Sequence, residues 1–189
     1  MINLNELKDR AYKCSCEHGF HDKELSNEHY LMLVITELSE AVEADRKGKR
    51  VDTDAQSAYD LCQKDKFYAY AYDNYIKGTI EEELADAVIR LLDLFGARNI
   101  FLDESGFDEE GFKDYATIYE DKSFTESIYY IIEELINHRN SITKSCVLPE
   151  IILLEIFGLA KHLDINLVWH IDQKIKYNEL RPKMHGKKY

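Results

Sequence analysis

Two prolines and eight glycines are all that interrupt a chain of 189 residues. That is too few breakers for a turn-rich sheet protein, and the shortage favours helices. Long apolar runs are missing too. No stretch approaches the roughly 20 residues that a membrane-spanning helix requires, which argues against a membrane partner. The opening MINLNELKDRAYKC is polar and amphipathic, unlike the apolar core of a secretory signal. Cysteine is sparse and scattered at Cys14, Cys16, Cys62 and Cys146, which does not suit a disulfide scaffold. A lone C-x-C without a second pair makes no zinc site, so these read as plain structural thiols of a protein in a reducing cytoplasm. Positive charge is also short, with 24 Lys and Arg against 36 Asp and Glu and a formal net charge of −12. Such a surface repels phosphate at long range and excludes duplex nucleic acid as the main partner. A small phosphorylated ligand held through metal ions is still compatible with it.

What the chain has is apolar residues at 45%, enough to bury the core of one domain. Their spacing is helical nearly throughout. Residues 2–18 form a first amphipathic helix. Ser26 or Asn27 caps a second that runs to about Gly48 on the stripe Leu31, Val34, Ile35, Leu38, Ala41 and Val42. Residues 53–76 read as an aromatic-rich helix. Thr79 caps the next, with Glu81, Glu82 and Glu83 in the first turn, where the dipole favours anions. Its core stripe is Leu84, Val88, Leu91, Leu92 and Phe95. The 102–123 stretch predicts a long connection holding one short helix, and helices return at about 124–138, 149–163 and 164–181. The fold class is an all-α bundle, one domain over 1–189.

Two carboxylate pairs carry the first chemical content: Glu37-x-x-Glu40 and Glu83-x-x-Asp86. The i, i+3 spacing puts both members of a pair on one side of a helix. If those sides face each other, four carboxylates converge, and their repulsion is relieved by divalent cations. Oxygen-only ligands select Mg²⁺ or Mn²⁺ over zinc. The same spacing also suits a solvated face, because Glu37 and Glu40 lie roughly 100° and 160° from Leu38 at the centre of the stripe. Against that, Leu33 falls on the glutamate side, and Ile89 and Leu94 flank the second acidic strip. A second buried interface, within the bundle or between subunits, would explain them.

The C-terminal stretch is basic. Lys174, Asn178 and Arg181 follow the inward positions Ile171 and Ile175 at i, i+4 and i+7, so an apolar stripe turns polar and needs a carboxylate or phosphate partner. Pro182 stops the helix, and His185, Gly186, Lys187 and Lys188 follow it in a tail.

In combination, HGFHDKELSNEHYLMLVITELSEAVEADRKGK, EEELADAVIRLLDLFG and KIKYNELRPKMHGKKY resemble the MazG-like all-α nucleoside triphosphate pyrophosphohydrolases, over about a third of the chain. The resemblance implies Mg²⁺-dependent hydrolysis of an NTP or dNTP to the monophosphate and pyrophosphate, by a homo-dimer or homo-tetramer. It also implies Glu37, Glu40, Glu83 and Asp86 as metal ligands and Lys174, Asn178 and Arg181 as phosphate contacts. Glu40 and Glu37 would be the catalytic carboxylates, with Glu40 accepting the proton of the attacking water. Phe20, Trp169 or Tyr177 could stack on the base. Thr36 stands where many members carry a further glutamate, and residues 49–78 insert an aromatic helix. The alternative reading is a helical oligomer that binds nucleotide or metal without turnover. A ferritin-like di-metal oxidoreductase is disfavoured, since no Glu-x-x-His accompanies these glutamates.

Overall fold

Two hydroxyl caps start the two helices that matter most. Ser26 Oγ accepts the amide of His29 at 3.2 Å, and Thr79 Oγ1 accepts that of Glu82 at 3.3 Å; each satisfies an amide that the first turn leaves open. Glu82 in turn accepts the amide of Gly78, closing a reciprocal cap of the kind that fixes a helix start. The computed structural model describes residues 3–62, 67–144 and 150–186.

Among these residues every regular element is helical. The order is α1 (Leu4–Glu17), α2 (Asn27–Arg46), α3 (Thr53–Cys62), α4 (Tyr68–Tyr75), α5 (Ile80–Ala97), α6 (Glu109–Ala116), α7 (Phe124–Lys144), α8 (Glu150–His162) and α9 (Leu167–Glu179). Short 3-10 turns follow at Thr117–Tyr119 and Lys183–Gly186. The expected all-α bundle is therefore present, and no helix among the described residues is long and apolar enough to cross a membrane.

α5 is the centre. α1, α2, α8 and α9 all pack against it, and Leu84, Val88, Leu91, Leu92 and Phe95 are fully buried. Each such side chain contributes about 1.5–3 kcal/mol of transfer free energy. α1 and α5 approach so closely at Gly96 that a Cβ there would sit 2.5 Å from Tyr12 Cβ. α6 and α7 cover α8, and α7 also meets α2.

The 53–76 segment corrects the single aromatic helix expected there. It contains α3 and α4, which pack on each other, with 63–66 outside the described residues. Neither proline nor glycine marks the division, so periodicity could not find it. Tyr59, Tyr68, Ala71, Tyr72 and Ile76 form a second small core with Tyr177 of α9. The 102–123 connection holds α6, capped by Asp108 Oδ1 on the amides of Glu110 and Gly111, and then the first 3-10 turn. Cys14 is buried and Cys16 exposed, so the structural reading fits only the first; burial pushes the Cys14 thiol up to about 11. The expectations for Cys62, Cys146, Lys187 and Lys188 fall outside the described side chains.

Candidate functional site

Facing sides of α2 and α5 bring three of the four sequence-predicted carboxylates together. One ligand oxygen from each of Glu37, Glu83 and Asp86 lies within 4.8 Å of the others. Glu37 and Glu83 are buried, at 4% and 7% exposure, so the solvated face is wrong for them. α2 does not end its apolar side at Leu38; it continues against α5.

Glu40 is exposed and lies outside this group. Three residues advance a helix by about 300°, which turns Glu40 some 60° from Glu37. Three of the four expected carboxylates thus converge, and Glu40, exposed, stands outside them. Thr36, also on α2, donates its hydroxyl to Met32 O at 3.0 Å and adds nothing acidic.

Each carboxylate is balanced differently. Arg90 donates through Nε to Glu37 Oε1 at 3.0 Å. Lys174 of α9 is ion-paired with Glu82 and, at 2.6 Å, with Asp86 Oδ2. Burial opposes the charge of Lys174, but Asp86 and Glu82 outweigh that and hold its pKa above the ordinary lysine value. Among the described residues Glu83 makes no ion pair, and burial with the nearby Glu82 and Asp86 charges pushes its carboxyl up to about 9. Fully ionised, Glu37, Glu82, Glu83 and Asp86 exceed Arg90 and Lys174 by two charges; with the Glu83 proton held the excess is one, so a divalent ion would take the place of that proton.

That arithmetic and the donor set fit a hard divalent cation such as Mg²⁺ or Mn²⁺. The ligands would be Glu37, Glu83 and Asp86.

Lys174 and Asn178 of α9, with Arg181 just beyond its end, share a cavity with one of these acids. Asp86, Arg90, Lys174, Asn178 and Arg181 line a space of about 40 Å³, room for roughly two or three water-sized guests. It can take phosphate oxygens and is too small for a nucleoside. Asn178 is 9% exposed, and its buried Oδ1 has no hydrogen-bond partner. Such an orphan is costly unless a ligand completes it.

The base-stacking expectations separate. Phe20 lines the cavity. Tyr177 is stacked on Tyr72 at 4.2 Å instead. Trp169 packs edge-on against Tyr59 at 5.5 Å and lines a separate groove of about 570 Å³ with Arg50, Gln56, Asn166 and His170.

Sequence reasoning missed four participants. Glu82 reads locally as a first-turn acid, although it is ion-paired with Lys174. Arg90, four residues after Asp86 and therefore on its face, could have been found by extending that face. Asp93, seven after Asp86, lies on the same cavity. It accepts from His21 Nε2 at 2.7 Å and from Ser15 Oγ at 3.1 Å, while the other ring nitrogen of His21 meets Tyr30 Oη at 3.1 Å. Tyr72 gave no local sign, because its role depends on α4 reaching α9.

No protein-family model, no curated protein and no solved structure matches this chain.

Proposed function

We propose that the chain is a pyrophosphohydrolase of MazG-like type, which cleaves a nucleoside triphosphate (NTP or dNTP) to the monophosphate and pyrophosphate. One observation carries the reading: oxygens of Glu37, Glu83 and Asp86 from two helices gather within 4.8 Å, beside a cavity that Asp86 shares with Lys174, Asn178 and Arg181. An acidic pocket accepts a polyanion only with cations between them. A bound Mg²⁺, or Mn²⁺ in its place, would polarise the phosphoryl oxygens and lower the pKa of an attacking water.

The chain's own residues do the rest. Lys174 and Arg181 supply positive charge where negative charge develops on pyrophosphate; the Asn178 Nδ2 can donate to a phosphate oxygen, while its unpartnered Oδ1 accepts from a water or hydroxyl of the bound ligand. Glu40, outside the three-carboxylate group, accepts the proton of the attacking water. Phe20 at the cavity packs on the nucleoside that the small volume keeps outside. The substrate is a small nucleotide rather than duplex nucleic acid, and a homo-dimer or homo-tetramer would cover the exposed apolar side chains Met32 and Ile136.

A second reading, nucleotide or metal binding without turnover, is favoured by the exposure of Glu40 and the absence of an acid at Thr36. One experiment separates the two. The protein is incubated with the four NTPs and four dNTPs, with and without Mg²⁺, and pyrophosphate is assayed. Mg²⁺-dependent release from at least one nucleotide supports the enzyme; tight binding with no product supports the module.

A further inference from the structure

The candidate site carries a cation of its own. Lys174 is 5% exposed, and its ammonium is shared between Glu82 and Asp86. Two rings complete its seat. Nζ lies 5.8 Å from the centroid of Tyr72 and 5.9 Å from that of Tyr177, within the range where a ring face attracts a cation. Tyr177 is fixed by donating its hydroxyl to Asp73 Oδ1 at 2.7 Å. The hydroxyl of Tyr72 is buried without a hydrogen-bond partner, so this residue contributes its ring. Tyr72 and Asp73 belong to the 49–78 insertion, which therefore forms the back wall of the ammonium's seat.

Asp86 belongs to two sets at once. It is one of the three carboxylates whose oxygens converge, and it also holds Lys174 at 2.6 Å. An ammonium and a divalent ion on one carboxylate repel each other at short range in a poorly solvated site. Asp86, Lys174, Asn178 and Arg181 line one cavity, so the flexible lysine stem, still paired with Glu82, can turn its head within it from Asp86 toward Asn178 and Arg181.

We propose that the Lys174 ammonium and a divalent cation are alternative partners of Asp86, so that loading the carboxylates releases Lys174 toward the phosphate cavity. The proposal rests on the reading of this cluster as a divalent-cation centre. It gives the site an order of binding: cation first, then polyanion, because Lys174 becomes available to phosphate only after Asp86 lets it go. Tyr72 and Tyr177 act as positioning residues that set how firmly the ammonium is held.

The test labels lysines. The full chain is treated with a water-soluble acetylating ester with and without saturating Mg²⁺. Modification at Lys174 is followed by mass spectrometry, and Mg²⁺ binding is measured calorimetrically on the same material. Lys174 should be protected without Mg²⁺ and react at least about tenfold faster with it, while Lys13, on the surface with 75% of its side chain exposed, serves as the unchanged reference. An ammonium seated about 90% of the time weakens the apparent affinity of its competitor about tenfold, so Lys174→Met should bind Mn²⁺ about tenfold more tightly. Tyr72→Phe should keep the protection and Tyr72→Ala should lose it. Should Mg²⁺ bind while Lys174 stays protected, the exchange is overturned and the cation centre stands. If no divalent ion binds at all, both fall. Where Lys174→Met does not fold, labelling of the unmodified chain decides alone.

Discussion

Arg90 on α5 reaches across to Glu37 on α2 and donates to its carboxylate at 3.0 Å, with 19% of the Arg90 side chain and 5% of the Glu37 side chain exposed. The pair joins the two helices at the level where the carboxylates gather. Removing only the guanidinium takes from buried Glu37, beside Glu83 and Asp86, the cation that donates to it. Breaking a buried pair in this way costs about 3–5 kcal/mol. Arg90→Met should lose stability of that order in urea unfolding, and Mg²⁺ should restore part of it. A loss below about 1 kcal/mol would show that the pair is solvated and the site open.

Glu83 predicts an alkaline weakness. Its carboxyl rises from 4.5 to about 9 through burial and the neighbouring Glu82 and Asp86, with Lys174 opposing and Glu37 adding to the rise. The folded state therefore holds this proton more tightly than the unfolded chain. Its stability contribution is full below the unfolded value and is lost as pH rises toward 9. Without metal, the thermal midpoint of the protein should fall between about pH 5 and pH 9 more steeply than that of Glu83→Gln. Added Mg²⁺ should reverse the fall at the alkaline end, since a ligand must shed its proton to bind. Parallel curves for the two proteins would remove Glu83 from the account.

His170 acts in the opposite direction. Burial lowers its pKa from 6.5 to about 4, and its Nδ1 is buried without a partner. Here the unfolded chain binds the extra proton, so the contribution is full above the unfolded value and disappears as pH falls toward 4. His170→Leu should flatten the acid limb of the stability profile relative to wild type while leaving the alkaline limb as it was. An unchanged acid limb would mean that the imidazole is hydrated.

Glu40 and Asp86 should separate by readout. Asp86→Asn removes a carboxylate of the converging group, so both Mn²⁺ affinity and pyrophosphate release should be lost. Glu40 is exposed and outside that group, so Glu40→Gln should keep Mn²⁺ affinity near wild type and lower kcat by about 10²-fold or more, as for loss of a general base. Retained turnover in Glu40→Gln would pass the proton to another group.

Much of this arrangement could be read from local pattern. The caps at Ser26 and Thr79 and the apolar stripes of α2 and α5 follow from spacing within one turn or two. The i, i+3 acids pointed to the pairing of α2 with α5. What could not be read depends on contacts across the chain. A helical wheel placed Glu37 and Glu40 on the same polar side, and only the packing of α2 on α5 decides that one is buried and the other wet. Lys174 needed a partner on sequence grounds, and its partners, Glu82 and Asp86, lie about ninety residues earlier. The division of 53–76 into α3 and α4 was hidden for a different reason. Both pieces are rich in residues that suit one helix, and their packing with Tyr177 in a second small core depends on a contact about a hundred residues away.

Manganese binding followed by electron paramagnetic resonance tests the central claim most directly. Wild-type protein should take up Mn²⁺ in competition with Mg²⁺, and the bound signal should vanish in Glu83→Gln and in Asp86→Asn with the helical fold retained by circular dichroism. Uptake that survives both substitutions, or none in the wild type at millimolar ion, would contradict it.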